Sequence, residues 1–198
     1  MNIKNKLWRT AGIAATIAGI GMSMAGVASA STGASMVVPA TGASAAGSAP
    51  ASISARIHAA AAGNYHELRN LAYNQCVDAP NGALNVTLRI ATCNGSDTHE
   101  WAPVAGPSSS IYLVNKSSGY CAEVNNGTSN PGERVDEWYC NGSQAEQWTP
   151  LGSAFGLPYQ QFEHAQTGLN LDTVGGPGSQ LMQWYGDAAN SAQTWLVS

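Results

Sequence analysis

The 198-residue sequence predicts an all-β fold made of three four-stranded repeats, and three observations carry the prediction. Trp101, Trp148 and Trp195 stand 47 residues apart twice over. Cys93 and Cys140 keep the same 47-residue period, while Cys76 and Cys121 are 45 apart and Asn170 takes the third place. From Asn64 onward, short apolar runs alternate with Asn-Gly and Ser-Gly turn signals about every ten residues, the pattern of a sandwich or barrel. One copy of roughly 45 residues has too few apolar side chains to fold alone; three copies can share a core and close a barrel without exposed edges. A four- to eight-bladed propeller needs more repeats than these.

The chain before the repeats has a different character. Lys4, Lys6 and Arg9 form a positive n-region, a weakly apolar stretch runs from Ala11 to about Val27, and Ala28-Ser29-Ala30 offers a cleavage site. Residues 1–30 therefore read as a secretory signal peptide, so a secreted, extracellular protein is expected. The stretch is too rich in Gly and Ala to make a good permanent span, and no stable membrane insertion is expected. Residues 31–63 are Ala, Ser, Gly and Thr with isolated Val37, Val38, Ile53 and Ile57. Such a segment buries too little surface to offset its ordering entropy and reads as a flexible, disordered spacer. Its alanines leave room for a short helix around Ser52–Ala62. The composition of both segments looks bacterial.

Each repeat (about 64–106, 107–154 and 155–198) opens with a strand: Glu67–Asn70, Ile111–Asn115 and Gln160–His164, with Leu68, Leu113 and Phe162 as matching core positions. After a turn comes a strand with an acid, at Cys76-Val77-Asp78, Cys121-Ala122-Glu123 and Asn170-Leu171-Asp172. A third strand follows at Leu88–Ala91, Val135–Trp138 and Leu181–Trp184. The fourth carries the period-setting tryptophan: His99-Glu100-Trp101, Glu146-Gln147-Trp148 and Gln193-Thr194-Trp195.

Loss of the leader would leave five basic and twelve acidic residues, a net charge of −7. No basic stripe remains to neutralise phosphates, which argues against nucleic acid and an anionic membrane as partners. Export predicts an oxidising destination, and the four cysteines are even in number, with three pairings open to them. Clustered Cys/His spacing for a metal is absent, and no cofactor is expected. Asn-x-Ser/Thr triplets at Asn85, Asn94, Asn115, Asn126 and Asn141 read as turn chemistry rather than as glycosylation acceptors.

The tripled pattern of Cys-x-Asp/Glu, an apolar-x-x-Trp-x-Cys strand and Gln-x-Trp resembles the ricin B-type lectins and the related carbohydrate-binding modules of secreted bacterial glycosidases. It covers Asn64–Ser198, and it departs from the family where His99 and Glu146 replace the Gln kept at Gln193 and where the third repeat lacks cysteines. The resemblance implies a β-trefoil, with one disulfide inside each of two repeats, Cys76–Cys93 and Cys121–Cys140. It also implies that Trp101, Trp148 and Trp195 pack the barrel and are not ligand platforms.

A pyranose offers an apolar face and a rim of hydroxyls, so holding one in water calls for a flat aromatic surface and fixed polar groups. By the resemblance the acid follows the first cysteine by two residues and the aromatic precedes the second by two. The third repeat supplies Asp172 and Trp184, with Gln193 and Asn190 as amides and Tyr185 alongside. The second supplies Glu123 and Trp138, with Asn125, Asn126, Glu137 and Asn141 nearby. The first has Asp78 but Ala91 in place of the aromatic, and ranks last. The bland alternative is that these acids order turns through backbone N–H groups; His99 is expected to be a satisfied, partly buried side chain.

No Gly-x-Ser-x-Gly or His-Glu-x-x-His motif is present. Glycosidase chemistry needs two carboxyls facing one bond, whereas these acids recur once per repeat. The expectation is a non-catalytic, monomeric lectin attaching multivalently to a polysaccharide or cell-surface glycan. The alternative is a secreted trefoil that binds a protein, such as a protease inhibitor or receptor ligand.

Overall fold

The computed structural model describes residues 52–152 and 159–198. Residues 1–30, expected to be a signal peptide, and residues 31–51 of the expected spacer lie outside the described residues.

Among the described residues twelve strands form the predicted three-fold pattern: β1 (His66–Asn70), β2 (Cys76–Asp78), β3 (Arg89–Ala91), β4 (Glu100–Ala105), β5 (Ile111–Asn115), β6 (Cys121–Val124), β7 (Val135–Trp138), β8 (Trp148–Leu151), β9 (Tyr159–His164), β10 (Asn170–Thr173), β11 (Leu181–Trp184) and β12 (Trp195–Val197). Strands β1, β4, β5, β8, β9 and β12 pair in a closed ring, sealed where Leu68 meets Val197. Closure removes the free edges that a six-stranded sheet would otherwise expose. Hairpins β2–β3, β6–β7 and β10–β11 cap the ring and bridge one another at Thr87–Asp136, Arg89–Gln180 and Arg134–Met182. The fold is a β-trefoil.

The core is assembled in triplets. Trp101, Trp148 and Trp195 are fully buried with Leu68, Leu113 and Phe162 around them. Each indole also donates a hydrogen bond to a capping hairpin: Trp101 Nε1 to the Val77 carbonyl (3.2 Å), Trp148 Nε1 to Ala122 (3.0 Å) and Trp195 Nε1 to Leu171 (3.3 Å). His99, Glu146 and Gln193 fall not in strands but in short 3-10 turns immediately before these tryptophans. The disulfides are Cys76–Cys93 and Cys121–Cys140, with Cα–Cα distances of 5.0 and 5.1 Å. Each restricts the unfolded chain within one repeat, an effect of about 3 kcal/mol for loops of this length.

The last part of the segment expected to be a flexible spacer is ordered. Helix α1 (Ile53–Ala61) begins at Ser52, whose Oγ accepts from Ala55 N at 3.2 Å. Ile53, Ile57 and Ala61 recur at four-residue steps on one helical face. Ile57 and Ala61 are buried with Ala102, Val104, Tyr112, Val114 and the Cys121–Cys140 bridge. Ile53 rests on Gly142, a left-handed position (φ +83°) where a Cβ would collide with the isoleucine. Packing, not alanine propensity alone, thus holds the helix.

The inner face of the hairpins also ties repeat to repeat. Gln183 Nε2 donates to the Thr128 and Asn130 carbonyls (2.8 and 2.9 Å), and its Oε1 accepts from Thr167 Oγ1. In the second repeat the equivalent residue is Glu137, fully buried, accepting from Ser118 Oγ with its Oε2 unpartnered. Burial, with a smaller contribution from Asp78, pushes the Glu137 carboxyl up to about 7, partly offset by Ser118.

Two outcomes are expected. Ile57→Ala should lower stability by roughly 2–4 kcal/mol in urea unfolding, since it opens a cavity under α1; an unchanged midpoint would mean the helix does not dock. A carboxyl with a raised folded-state pKa stabilises fully below its unfolded value and loses that contribution as pH climbs through the folded value. Tm should therefore fall between about pH 5 and about pH 8, and Glu137→Gln should flatten that fall and raise Tm at the alkaline end.

Candidate functional site

Hairpin register places each acid relative to its platform. Cys121 pairs with Trp138 and Glu123 with Asp136; Asn170 pairs with Trp184 and Asp172 with Met182; Cys76 pairs with Ala91 and Asp78 with Arg89. Side chains two apart on a strand share a face, so acid and aromatic become diagonal neighbours on the outer face of one hairpin. From this common geometry the three repeats diverge.

In the second repeat Glu123 and Trp138 line a cavity of about 220 Å³ with Asn85, Asn125, Asn126, Arg134 and Asp136. Trp138 is 36% exposed. Among the described residues the Glu123 carboxylate has no hydrogen-bond partner. Burial, followed by Glu146 and then Asp136, pushes it up to about 7. Arg134 lies 3.1 Å from Asp136 Oδ2 and donates to Thr87 Oγ1 (3.2 Å), Asn85 Oδ1 (3.3 Å) and Asn125 Oδ1 (3.3 Å). On the far side of the Glu123–Trp138 pair lies a second, more open concavity with Asn126, Asn141, Ser143, Gln144 and Gln166. Asn141 uses its Oδ1 to accept from Ser143 N (2.8 Å). Glu146 stands behind this wall, fully buried, accepting from the backbone N–H groups of Asn141 and Gly142.

In the third repeat Trp184 is 41% exposed, stacked edge-on with Tyr185 at 5.8 Å. Gly132 of the second repeat lies against this ring: a Cβ there would stand 3.3 Å from Trp184 Cζ3. Asp172, however, is nearly buried; its Oδ1 accepts from Thr173 N (2.6 Å) and its Oδ2 from Gln193 Nε2 (2.8 Å). Gln193, expected as a ligand amide, is fully buried. It donates also to the Tyr185 carbonyl (2.8 Å), and its Oε1 accepts from Asn170 Nδ2 and Asp187 N. Asn190 caps the following turn by accepting from Ala192 N (2.9 Å). These amides organise the loop rather than face outward.

The first repeat pairs its acid with bases. Asp78 accepts from Arg89 Nε (2.9 Å) and lies 3.3 Å from His99 Nε2, in an open depression without an aromatic. His99 is buried, as expected of a structural side chain, although its Nδ1 has no partner.

Of the residues singled out in the sequence, the structure thus gathers Glu123, Trp138 and Asn141, along with Asn125 and Asn126. It directs Glu137 to the opposite, core-facing side. The sequence reading missed Asp136, Arg134 and Asn85. Strict alternation along Val135–Trp138 puts Asp136 on the Trp138 side and would have found it. Asn85 comes from the first repeat and carried no local signal.

The family pattern described as "Ricin-type beta-trefoil lectin domain" matches residues 64–195. No curated protein sequence matches the chain. Among solved structures, the chain is similar to the designed three-fold symmetric protein ThreeFoil (TM-score 0.63, 20% identity, 68% of this chain and 97% of that one). It is similar to an exo-β-1,3-galactanase from Clostridium thermocellum (TM-score 0.63, 21% identity, 68% of this chain but 30% of that one). It is also similar to the Rhizoctonia solani agglutinin (TM-score 0.59, 17% identity, 68% and 93%).

Because Gln193, itself fully buried, satisfies four polar groups, Gln193→Ala should destabilise the fold by about 1–3 kcal/mol, seen as a lower melting temperature. A melting curve like the parent's would return Gln193 to the list of free ligand groups.

Proposed function

Since the chain belongs to the ricin-type β-trefoil lectin family, we propose that it binds carbohydrate chiefly through its second repeat. One observation carries this reading: Glu123, unpartnered, and Trp138, part-exposed, share a cavity. The indole offers an apolar surface for the sugar face, and the carboxylate is free to accept from neighbouring hydroxyls with charge-strengthened bonds. Asn126 adds an amide at the rim, while Asn125 is held by Arg134 and Glu133 and Asn141 lines the neighbouring concavity with its Oδ1 engaged by Ser143 N.

The third repeat contributes an auxiliary platform, Trp184 and Tyr185, whose acid and amide are already engaged. One shallow site of this kind binds weakly, at roughly millimolar Kd or about −4 kcal/mol. A second contact on the same rigid barrel raises avidity toward a polymer without new chemistry. The reading is therefore of a secreted protein attaching to a polysaccharide or surface glycan, and the two disulfides suit an extracellular setting. In this reading attachment proceeds without catalysis, with Glu123 serving as a hydrogen-bond acceptor for the sugar.

Trp138→Ala should weaken polysaccharide retention about tenfold, corresponding to loss of one stacking contact, with the melting temperature kept. Trp184→Ala should lower avidity for polymers and leave short oligosaccharides little affected. Parent-like binding by both variants and by their double would remove the proposed platforms.

A further inference from the structure

The second-repeat cavity holds one acid more than a neutral sugar calls for. Asp136 sits directly across from Glu123 in the β6–β7 ladder and lines the same cavity. It is only 3% exposed; its Oδ1 has no close partner, its Oδ2 lies 3.1 Å from Arg134, and Thr87 and Arg134 only partly offset the burial that pushes its carboxyl up. Two further acids approach from other elements. Glu146, from the turn before β8, faces Glu123. Glu133, from the loop before β7, faces Asp136 while it holds Asn125 Nδ2 (2.9 Å) and Thr128 Oγ1 (3.2 Å). Among the described residues lining this cavity Arg134 is the one base, and its ion pair is with Asp136, so Glu123 is left without a cationic partner.

Resting on the lectin reading above, we propose that this cavity selects a sugar bearing a free, protonated amino group, an unacetylated hexosamine unit within a glycan. A neutral sugar needs acceptors for its hydroxyls, which Glu123 alone provides. A second, nearly buried carboxyl beside it is unfavourable for such a ligand, because like charges in a desolvated site repel. An ammonium group placed between Glu123 and Asp136 turns that repulsion into two charge-assisted hydrogen bonds. Trp138 adds what a bare cation does not require, an apolar surface for the pyranose ring. A hard divalent ion is less well served, since it takes six or more oxygens and here would share Asp136 with Arg134. Asp78 and Asp172, each tied to partners within its own repeat, lack this unmet demand.

The test uses the full chain and two oligosaccharides of the same linkage and length, one of glucosamine and one of N-acetylglucosamine, compared by titration calorimetry with EDTA present. The parent should bind the glucosamine oligomer at least tenfold more tightly. That preference should shrink with added salt, as a charge-assisted contact requires. Asp136→Asn and Glu123→Gln should each bring the ratio close to one. Equal or tighter binding of the acetylated oligomer by the parent would overturn the proposal while leaving the lectin reading intact. Failure to bind any glycan, neutral polysaccharides included, would overturn both. Binding of lysine oligomers as tightly as of glucosamine oligomers would also overturn it, since the site would then read charge without sugar. The oligomer comparison and the salt measurement need only the parent, so a variant that fails to fold leaves the question decidable.

Discussion

The structure depends on three indole N–H groups that reach out of the barrel core. Each hydrogen-bonds the carbonyl of the middle residue in a Cys-x-acid or Asn-x-acid triplet, at Val77, Ala122 and Leu171. The ring fills the core while its one polar atom fastens the strand that bears the acid. Both partners are buried, so losing either leaves an orphaned polar group, at a cost of about 1–3 kcal/mol beyond the lost packing. The acid's position is consequently set by the core and does not rely on a ligand.

A frame held in this way lets the outer surface diverge. The position just before the buried tryptophan's neighbour is His99, Glu146 or Gln193, and each choice gives its acid a different fate. His99 and Arg89 pair with Asp78; Gln193 satisfies Asp172; Glu146 turns to backbone N–H groups and offers Glu123 only repulsion. The repeat with Glu in place of the Gln of Gln-x-Trp is the one whose acid stays free. What looks like drift in the sequence is where an open binding group survives.

Much of this was legible in the sequence because it follows from period. The 47-residue spacing fixes the core tryptophans, and two-residue alternation fixes which hairpin face holds acid and platform. The disulfides and the barrel followed from the family resemblance. Less legible was whatever depends on partners distant in sequence. Nothing local says that Gln193 is enclosed by Asn170, Tyr185 and Asp187, or that Asn85 of one repeat would line the cavity of the next. Helix α1 is an intermediate case. Its Ile53–Ile57–Ala61 stripe was there to see, but three small or isolated apolar residues amid alanine and serine look like spacer until the surface that receives them is known.

That helix has a chemical consequence for the two disulfides. Cys121 and Cys140 are both buried in the cluster that includes Ile57 and Ala61 of α1, whereas Cys93 of the other bridge is only partly buried. Thiol exchange requires an attacking sulfur to reach one of the pair in line. The first repeat's bridge is open to such attack in the native state; the second must wait for the helix to lift. A nine-residue helix ahead of the barrel thus shields one of two similar bonds from reductant, the one that braces the hairpin holding Glu123 and Trp138.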